Sequence, residues 1–272
     1  MSHRILFFGN EQLATGVKTD RPSFRALQQA GYEVIEVSKE IDKAQLAGYG
    51  AEAAVLIAYG VIIPAEILGI FPVGVINVHP SLLPLYRGST PIETAILDGV
   101  AETGVSLMKL VPEMDAGPVY AQQSITLSGQ ETKQELADKL AEMGSQMVVE
   151  HLPAILDGSL QPQPQDDSRA TFTDQLTKED GSLDFTKPAI QLEREVRAFA
   201  GWPRSRTKIK DTEIVVTAAR VIEGTGEPGK LWRDGKDFGF YTQSGILVVD
   251  QLIPAGKKAM SAEAFLAGYQ IS

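Results

Sequence analysis

Apolar and polar positions in the first 130 residues alternate between two textures. Short runs rich in β-branched and aromatic residues predict strands: RILFFG (4–9), YEVIEV (32–37), AAVLIAYG (53–60), GVINVH (74–79), GVSLMKL (104–110) and VYAQQSITL (119–127). Between and after them, segments 22–30, 64–70, 91–98 and a long one over 131–157 carry helical spacing. In the long one, Leu136, Leu140, Met143 and Met147 recur every three or four residues. Strands alternating with helices predict an α/β unit on a Rossmann-like, mostly parallel sheet. The texture changes after residue 158. Pro, Gln, Asp and Ser dominate 159–168 without apolar periodicity, which reads as an extended linker. PAIQLEREVRAFAG then opens on Pro188, repeats Leu192, Val196 and Phe199 at helical spacing, and stops at Gly201. Runs SRTKIK, EIVVTAARVI, FGFYTQ and GILVVDQLI follow, separated by Gly and Asp, and predict a small OB-like β-barrel. The expected organisation is an α/β domain over 1–158, a linker over 159–185 and a C-terminal β domain over 186–272.

Composition narrows the class. The 272 residues are 43% hydrophobic and 22% charged, as in soluble globular proteins. There is no cysteine, which excludes disulfides and thiolate metal sites and fits a reducing compartment. The start, MSHRILFFGN, reads as a strand and not as a signal peptide. The apolar stretch 53–78 is broken by Gly60, Pro64 and Pro72 into pieces shorter than the roughly 18 residues a membrane span needs. The net charge of −10 is unevenly placed: residues 1–170 hold 11 Lys and Arg against 21 Asp and Glu, and residues 171–272 hold 14 of each. An acidic total therefore does not exclude an RNA partner for the second part.

The turn after the first strand, FFGNEQLATG, lacks both the dinucleotide fingerprint and a Walker lysine, so neither NAD nor ATP follows from the fold. Chemistry concentrates elsewhere. Asn77 and His79 close the fourth strand two residues apart, on one face, and Pro80 keeps His79 extended. Ligands bind beyond the carboxyl ends of strands in open α/β sheets. Asp115 follows the next strand in the turn PEMDAGP, and reaches His79 if strands 74–79 and 104–110 are neighbours. An amide and an imidazolium can donate to an oxyanion forming on a carbonyl, and a carboxylate can take a proton from an attacking amine through water. Direct acyl transfer to an amine needs no serine or cysteine nucleophile and no metal. The same residues also read as a turn cap, a satisfied core histidine and a turn former. Spacing alone leaves both readings open.

INVHPSLLPLYRGSTPIETAILDG with ETGVSLMKLVPEMDAGPVYAQ resembles the formyltransferase family that uses 10-formyltetrahydrofolate. GWPRSRTKI and LIPAGKKAMSAEAFLAG resemble the branch of that family that acts on methionyl-tRNA, and the likeness runs from residue 53 to the end. The resemblance implies a formyltransferase fold in which Asn77, His79 and Asp115 are catalytic, with no metal. It implies 10-formyltetrahydrofolate as co-substrate, with Ser81, Leu82, Leu83 and Pro84 bordering its pocket: one leucine as apolar wall, backbone groups reading the ring edge. The acceptor implied is the α-amine of initiator methionyl-tRNA, and the enzyme is expected to be a cytoplasmic monomer without a membrane partner. In PRSRTKIK, Arg204, Arg206, Lys208 and Lys210 alternate with smaller residues, which in a strand would align four cations over about 20 Å along a tRNA backbone. A solvated strand face is the other reading of that row.

Two stretches depart from the family. After the second strand its members carry a basic loop, a helix and a turn that touch the tRNA acceptor stem. Here SKEIDKAQLAGYGAEA is too short for that loop plus its helix, and offers only Lys39 and Lys43. Conversely, NEQLATGVKTDRPSF is longer than the family's first turn and includes Lys18 and Arg21. A partial substitution by that turn, weak acceptor-stem reading and a shortened form are all open. An amine on a sugar nucleotide, or another small amine, is the alternative acceptor.

Overall fold

The computed structural model describes residues 3–9, 22–37, 42–58 and 63–269. Lys18, Arg21 and Lys39 lie outside the described residues, as does the end of the predicted strand 53–60. The chain divides into two compact units. One is drawn from Met1–Ile92, Val100–Gln130 and Gln134–Gln175, the other from Glu93–Gly99, Glu131–Lys133 and Leu176–Ser272.

The chain begins β1 (Arg4–Gly9), α1 (Pro22–Gln29), β2 (Glu33–Glu36), α2 (Lys43–Gly48), β3 (Ala53–Ile57), α3 (Ala65–Leu68) and β4 (Gly74–His79). It continues with β5 (Arg87–Gly88), α4 (Pro91–Asp98), β6 (Glu102–Lys109), β7 (Val119–Thr126), α5 (Lys133–Leu156) and β8 (Phe172–Thr173). The main sheet has the order β2-β1-β3-β4-β6-β7. Strands β2, β1, β3 and β4 are parallel, and β6 and β7 are antiparallel to their neighbours. The sheet is therefore mixed where a mostly parallel one was expected. Its cause is the connection from His79 to Glu102, which brings the chain back at the carboxyl end of β4, so that β6 runs in reverse with Ser106 opposite His79. Every residue of β4 is buried, as befits a central strand covered on both faces, whereas β7 at the edge is largely exposed. Helix α5 packs on β4 closely enough that a side chain at Gly144 would strike Val78. A buried hydroxyl pair, Ser23 to Ser145 at 2.7 Å, joins α5 to α1.

The region after the second strand does hold a helix. Asp42 caps α2 by accepting from the Gln45 N–H at 2.7 Å, so a single turn and a half fits where a longer segment could not.

The second unit comprises α6 (Ala189–Ala198), β9 (Ser205–Ile209), β10 (Thr212–Ile222), β11 (Leu231–Asp234), β12 (Asp237–Tyr241), β13 (Ile246–Pro254), β14 (Met260–Ser261) and α7 (Ala262–Gly268). Its sheet is antiparallel, in the order β11-β12-β13-β10-β9, with β14 on β13. Register shifts between Val216 and Ala219 mark a bulge in β10. Leu192 and Val196 of α6 share one core with Phe238, Phe240, Val249 and Phe265. No helix among the described residues is long and apolar enough to cross a membrane.

One charge in this unit sits against its solvation. Glu195 on α6 is buried, its Oε1 takes the Lys187 ammonium at 2.8 Å, and its Oε2 has no hydrogen-bond partner among the described residues. Burial raises its pKa and outweighs the opposing Lys187. A raised folded-state pKa contributes stability that is present below the ordinary carboxylate range and lost as pH rises through the folded value. Glu195→Gln should therefore gain stability relative to the parent chain as pH rises from acid to neutral. Urea unfolding of both proteins across that window checks it; a constant difference would show that Glu195 titrates as it does in the unfolded chain.

Candidate active site

Strand β4 presents Asn77 and His79 on one face, 6% and 4% exposed. Because β6 is antiparallel to β4, its end lies near the beginning of β4 and not beside His79. Asp115 reaches the pair because loop 110–118 doubles back over that face. The Lys109 N–H donates to the Pro118 carbonyl at 2.8 Å and closes the base of the loop, and Leu110 N–H holds Val75 O at 2.8 Å. Gly117 sits so tightly on the Lys109 carbonyl that no side chain fits there, and Asp115 itself takes a left-handed φ of +48°.

Asp115 Oδ2 accepts the Gly88 N–H at 2.8 Å and lies 3.8 Å from His79 Nδ1; its Oδ1 is 3.5 Å from Asn77 Nδ2. The last two separations are longer than good hydrogen bonds. His79 Nε2 is 3.0 Å from the Tyr86 carbonyl. A carbonyl only accepts, so Nε2 carries a proton and Nδ1 is the nitrogen turned towards Asp115. The Asn77 amide, His79 Nδ1 and the Asp115 carboxylate thus converge, with the remaining imidazole nitrogen already engaged.

The turn after β4 is held by hydrogen bonds from Ser81 and from side chains of β6 and β7. Ser81 is fully buried and its hydroxyl donates to Leu85 O at 2.6 Å. Ser106 Oγ donates to Ser81 O at 2.6 Å and accepts the Leu83 N–H at 3.0 Å, while Gln122 Nε2 donates to Leu83 O at 2.7 Å. The N–H and carbonyl of Leu83 are thus engaged by side chains of β6 and β7, and Leu83 is 4% exposed. Leu82 and Pro84 are half-buried. The Leu83–Pro84 peptide is cis.

Four further residues hold the turn and the loop around this cluster. Ser106 is a polar interruption in the apolar run GVSLMKL, a signal visible in the sequence, whereas Gln122 lies in the polar part of VYAQQSIT and does not stand out. Arg87 and Gln165 left none. Gln165 lies in the stretch expected as a linker, which is extended but pinned: Gln163 and Val119 exchange two 2.8 Å backbone hydrogen bonds, and β8 pairs with β5.

The cation row does not form as expected. Arg206 and Lys208 lie in β9, but Arg204 and Lys210 take φ of +72° and +50° and leave the strand at either end. Lys210 stands in the two-residue turn to β10, Arg204 Nε donates to Gly201 O at 3.1 Å, and Arg206 donates to the Lys178 carbonyl. Lys208 is exposed.

Fold and site together place a polar cluster at the carboxyl end of the last parallel strand of an α/β sheet, where such sheets bind ligands. A family model described as formyl transferase matches residues 5–152, and one described as formyl transferase, C-terminal domain, matches residues 175–270. The methionyl-tRNA formyltransferase of Roseiflexus sp. (strain RS-1) is 40% identical over 232 residues, covering 84% of this chain and 71% of that protein. The chain belongs to the formyltransferase family. Among solved structures, HypX from Aquifex aeolicus in complex with tetrahydrofolic acid superposes with a TM-score of 0.72 at 18% identity, over 98% of this chain and 47% of that one. WlaRD, a sugar 3N-formyl transferase solved in the presence of dTDP and 5-N-formyl-THF, gives a TM-score of 0.68 at 14% identity over 95% and 99%. These two likenesses show the fold alone.

Proposed function

We propose that the chain transfers a formyl group from 10-formyltetrahydrofolate to the α-amine of a methionyl-tRNA. The observation that carries the reading is the convergence of Asn77, His79 and Asp115 at the end of β4. The half-buried Leu82 and Pro84, directly beyond His79, suit the edge of a flat, largely apolar ring. The amine attacks the formyl carbon and a C–N bond forms. The Asn77 N–H, and His79 Nδ1 when the ring carries its second proton, hold the oxyanion. Asp115 accepts the amine proton, directly or through a water. The bond from the formyl carbon to N10 breaks, and N10 takes up a proton.

The name of the Roseiflexus relative and the C-terminal family match support the tRNA acceptor, with the antiparallel second unit read as an OB-like barrel. Lys208, Lys257 and Lys258 are exposed, and the Ala255 N–H bonds Glu213 O on β10, opposite Lys208, so the three cations share one end of the sheet. Lys208→Glu with Lys258→Glu should weaken tRNA binding and flatten its salt dependence, by roughly 0.7–0.9 in the log–log slope for each phosphate no longer neutralised. A salt titration with an unchanged slope would move the tRNA off these lysines.

A small amine, such as one on a sugar nucleotide, is the second reading. It is favoured by the short segment between β2 and β3, where a six-residue helix replaces any long basic loop, and by the likeness to the WlaRD fold. Supplying the donor with charged tRNA and with a panel of small amines separates the two.

A further inference from the structure

We propose that Gln165 is a positioning residue that sets the Asp115 carboxylate in register with His79 and Asn77. The inference rests on the formyl-transfer reading of the site. Gln165 Nε2 lies 2.7 Å from the Asp115 carbonyl and 2.7 Å from the Gly117 carbonyl, so its two N–H bonds hold two carbonyls of the doubled-back loop, one of them that of Asp115 itself. Its Oε1 accepts from Arg87 Nε at 3.1 Å and Nη2 at 2.8 Å. One amide therefore spends both donors on the loop and its acceptor on a guanidinium, and no other uncharged side chain than an amide offers two donors and an acceptor in one plane.

The need for such a clamp is local. Asp115 is a non-glycine residue in the left-handed region, and Gly117 is pressed on the Lys109 carbonyl. A backbone so placed persists only when its surroundings over-determine it. The second anchor of Asp115 is the Gly88 N–H, and Gly88 is itself held by β8, where Thr173 Oγ1 donates to Arg87 O at 3.2 Å and accepts the Thr90 N–H at 3.1 Å. Both anchors thus trace to residues 163–173. Arg87 ties this strap to β5: it is 4% exposed, and besides Gln165 it pairs with Asp167 at 2.6 Å. Asp167 is 79% exposed, so water screens that pair, and the part-buried Gln165 contact is the stiffer of the two.

A misplacement of the order of 1 Å in a reacting group costs about 10²-fold in rate. Two substitutions divide the roles of Gln165. Gln165→Glu keeps an acceptor for Arg87, and strengthens it, but removes both N–H donors and sets a carboxylate oxygen against two carbonyls. Gln165→Met removes everything. If Gln165 positions Asp115, the Gln165→Glu chain should lose about 10²-fold in kcat, with KM for the folate donor and the melting temperature near those of the parent. Its amides 113–117 should also exchange hydrogen faster. If Gln165 only ties the strap to Arg87, the Gln165→Glu chain will match the parent in kcat and exchange while Gln165→Met alone suffers, and the proposal is overturned. A parent chain that transfers no formyl group would end the reading of the function, and the exchange comparison would still decide whether Gln165 holds the loop.

Discussion

Removing the imidazole is expected to stop the chemistry while leaving the donor bound. His79→Ala and Asn77→Ala should each lower the single-turnover rate of formyl transfer by about 10²–10³, the usual loss for one oxyanion donor. Asp115→Asn keeps the acceptor that holds the Gly88 N–H at 2.8 Å but cannot take a proton. Its loss should fall within the range of about 10²–10⁴ for general-base catalysis. Strand β4 is buried throughout, and Asn77 and His79 end it, so circular dichroism must accompany each variant to exclude loss of the fold. Folate affinity should change far less than the rate. A near-parental rate in His79→Ala would remove the imidazole from the mechanism.

Gly117→Ala is expected to be almost as damaging, although position 117 has no part in the chemistry itself. The added methyl would meet the Lys109 carbonyl and the end of Met108. Lys109 is fixed by β6 and by its own N–H to Pro118, so the backbone cannot yield and the loop must move. The loop carries Asp115, and a shift near 1 Å predicts a loss of about 10²-fold in kcat. Stopped-flow transfer assays at saturating donor measure it. An unchanged rate would mean that the loop relocates as a unit without moving the carboxylate.

How far the sequence foretold this molecule depends on which physical signal each element leaves. Strands β1 and β4 were legible to the residue because buried parallel strands are continuous apolar runs bounded by Gly and Pro. Helix α4 was equally plain. Helices α2 and α7 went unread because each is about two turns or less and announces itself mainly by a capping Asp42 or Ser261. β11 was missed because Arg233 and Asp234 mask it, although Asp234-Gly235 marks the turn that follows. Asn77 and His79 could be placed on one face by period alone. The approach of Asp115 was foreseen for an incomplete reason: the strands are neighbours, but antiparallel, and a loop fold-back that no periodicity encodes closes the gap. The same limit hid Gln165 and Arg87, whose roles are hydrogen bonds to backbone and to each other across about 80 positions of sequence. The row of four cations failed because left-handed φ at Arg204 and Lys210 cannot be seen in a residue that is not glycine.

The most direct measurement of the central claim is transfer of labelled formyl from 10-formyltetrahydrofolate by the purified chain, with charged initiator tRNA as acceptor, beside the same chain carrying Asp115→Asn. The expected result is label on the methionyl α-amine with the parent chain, and a rate lower by about 10²–10⁴ with the variant. No label with the parent chain on tRNA or on any small amine, or equal rates in the two proteins, would contradict it.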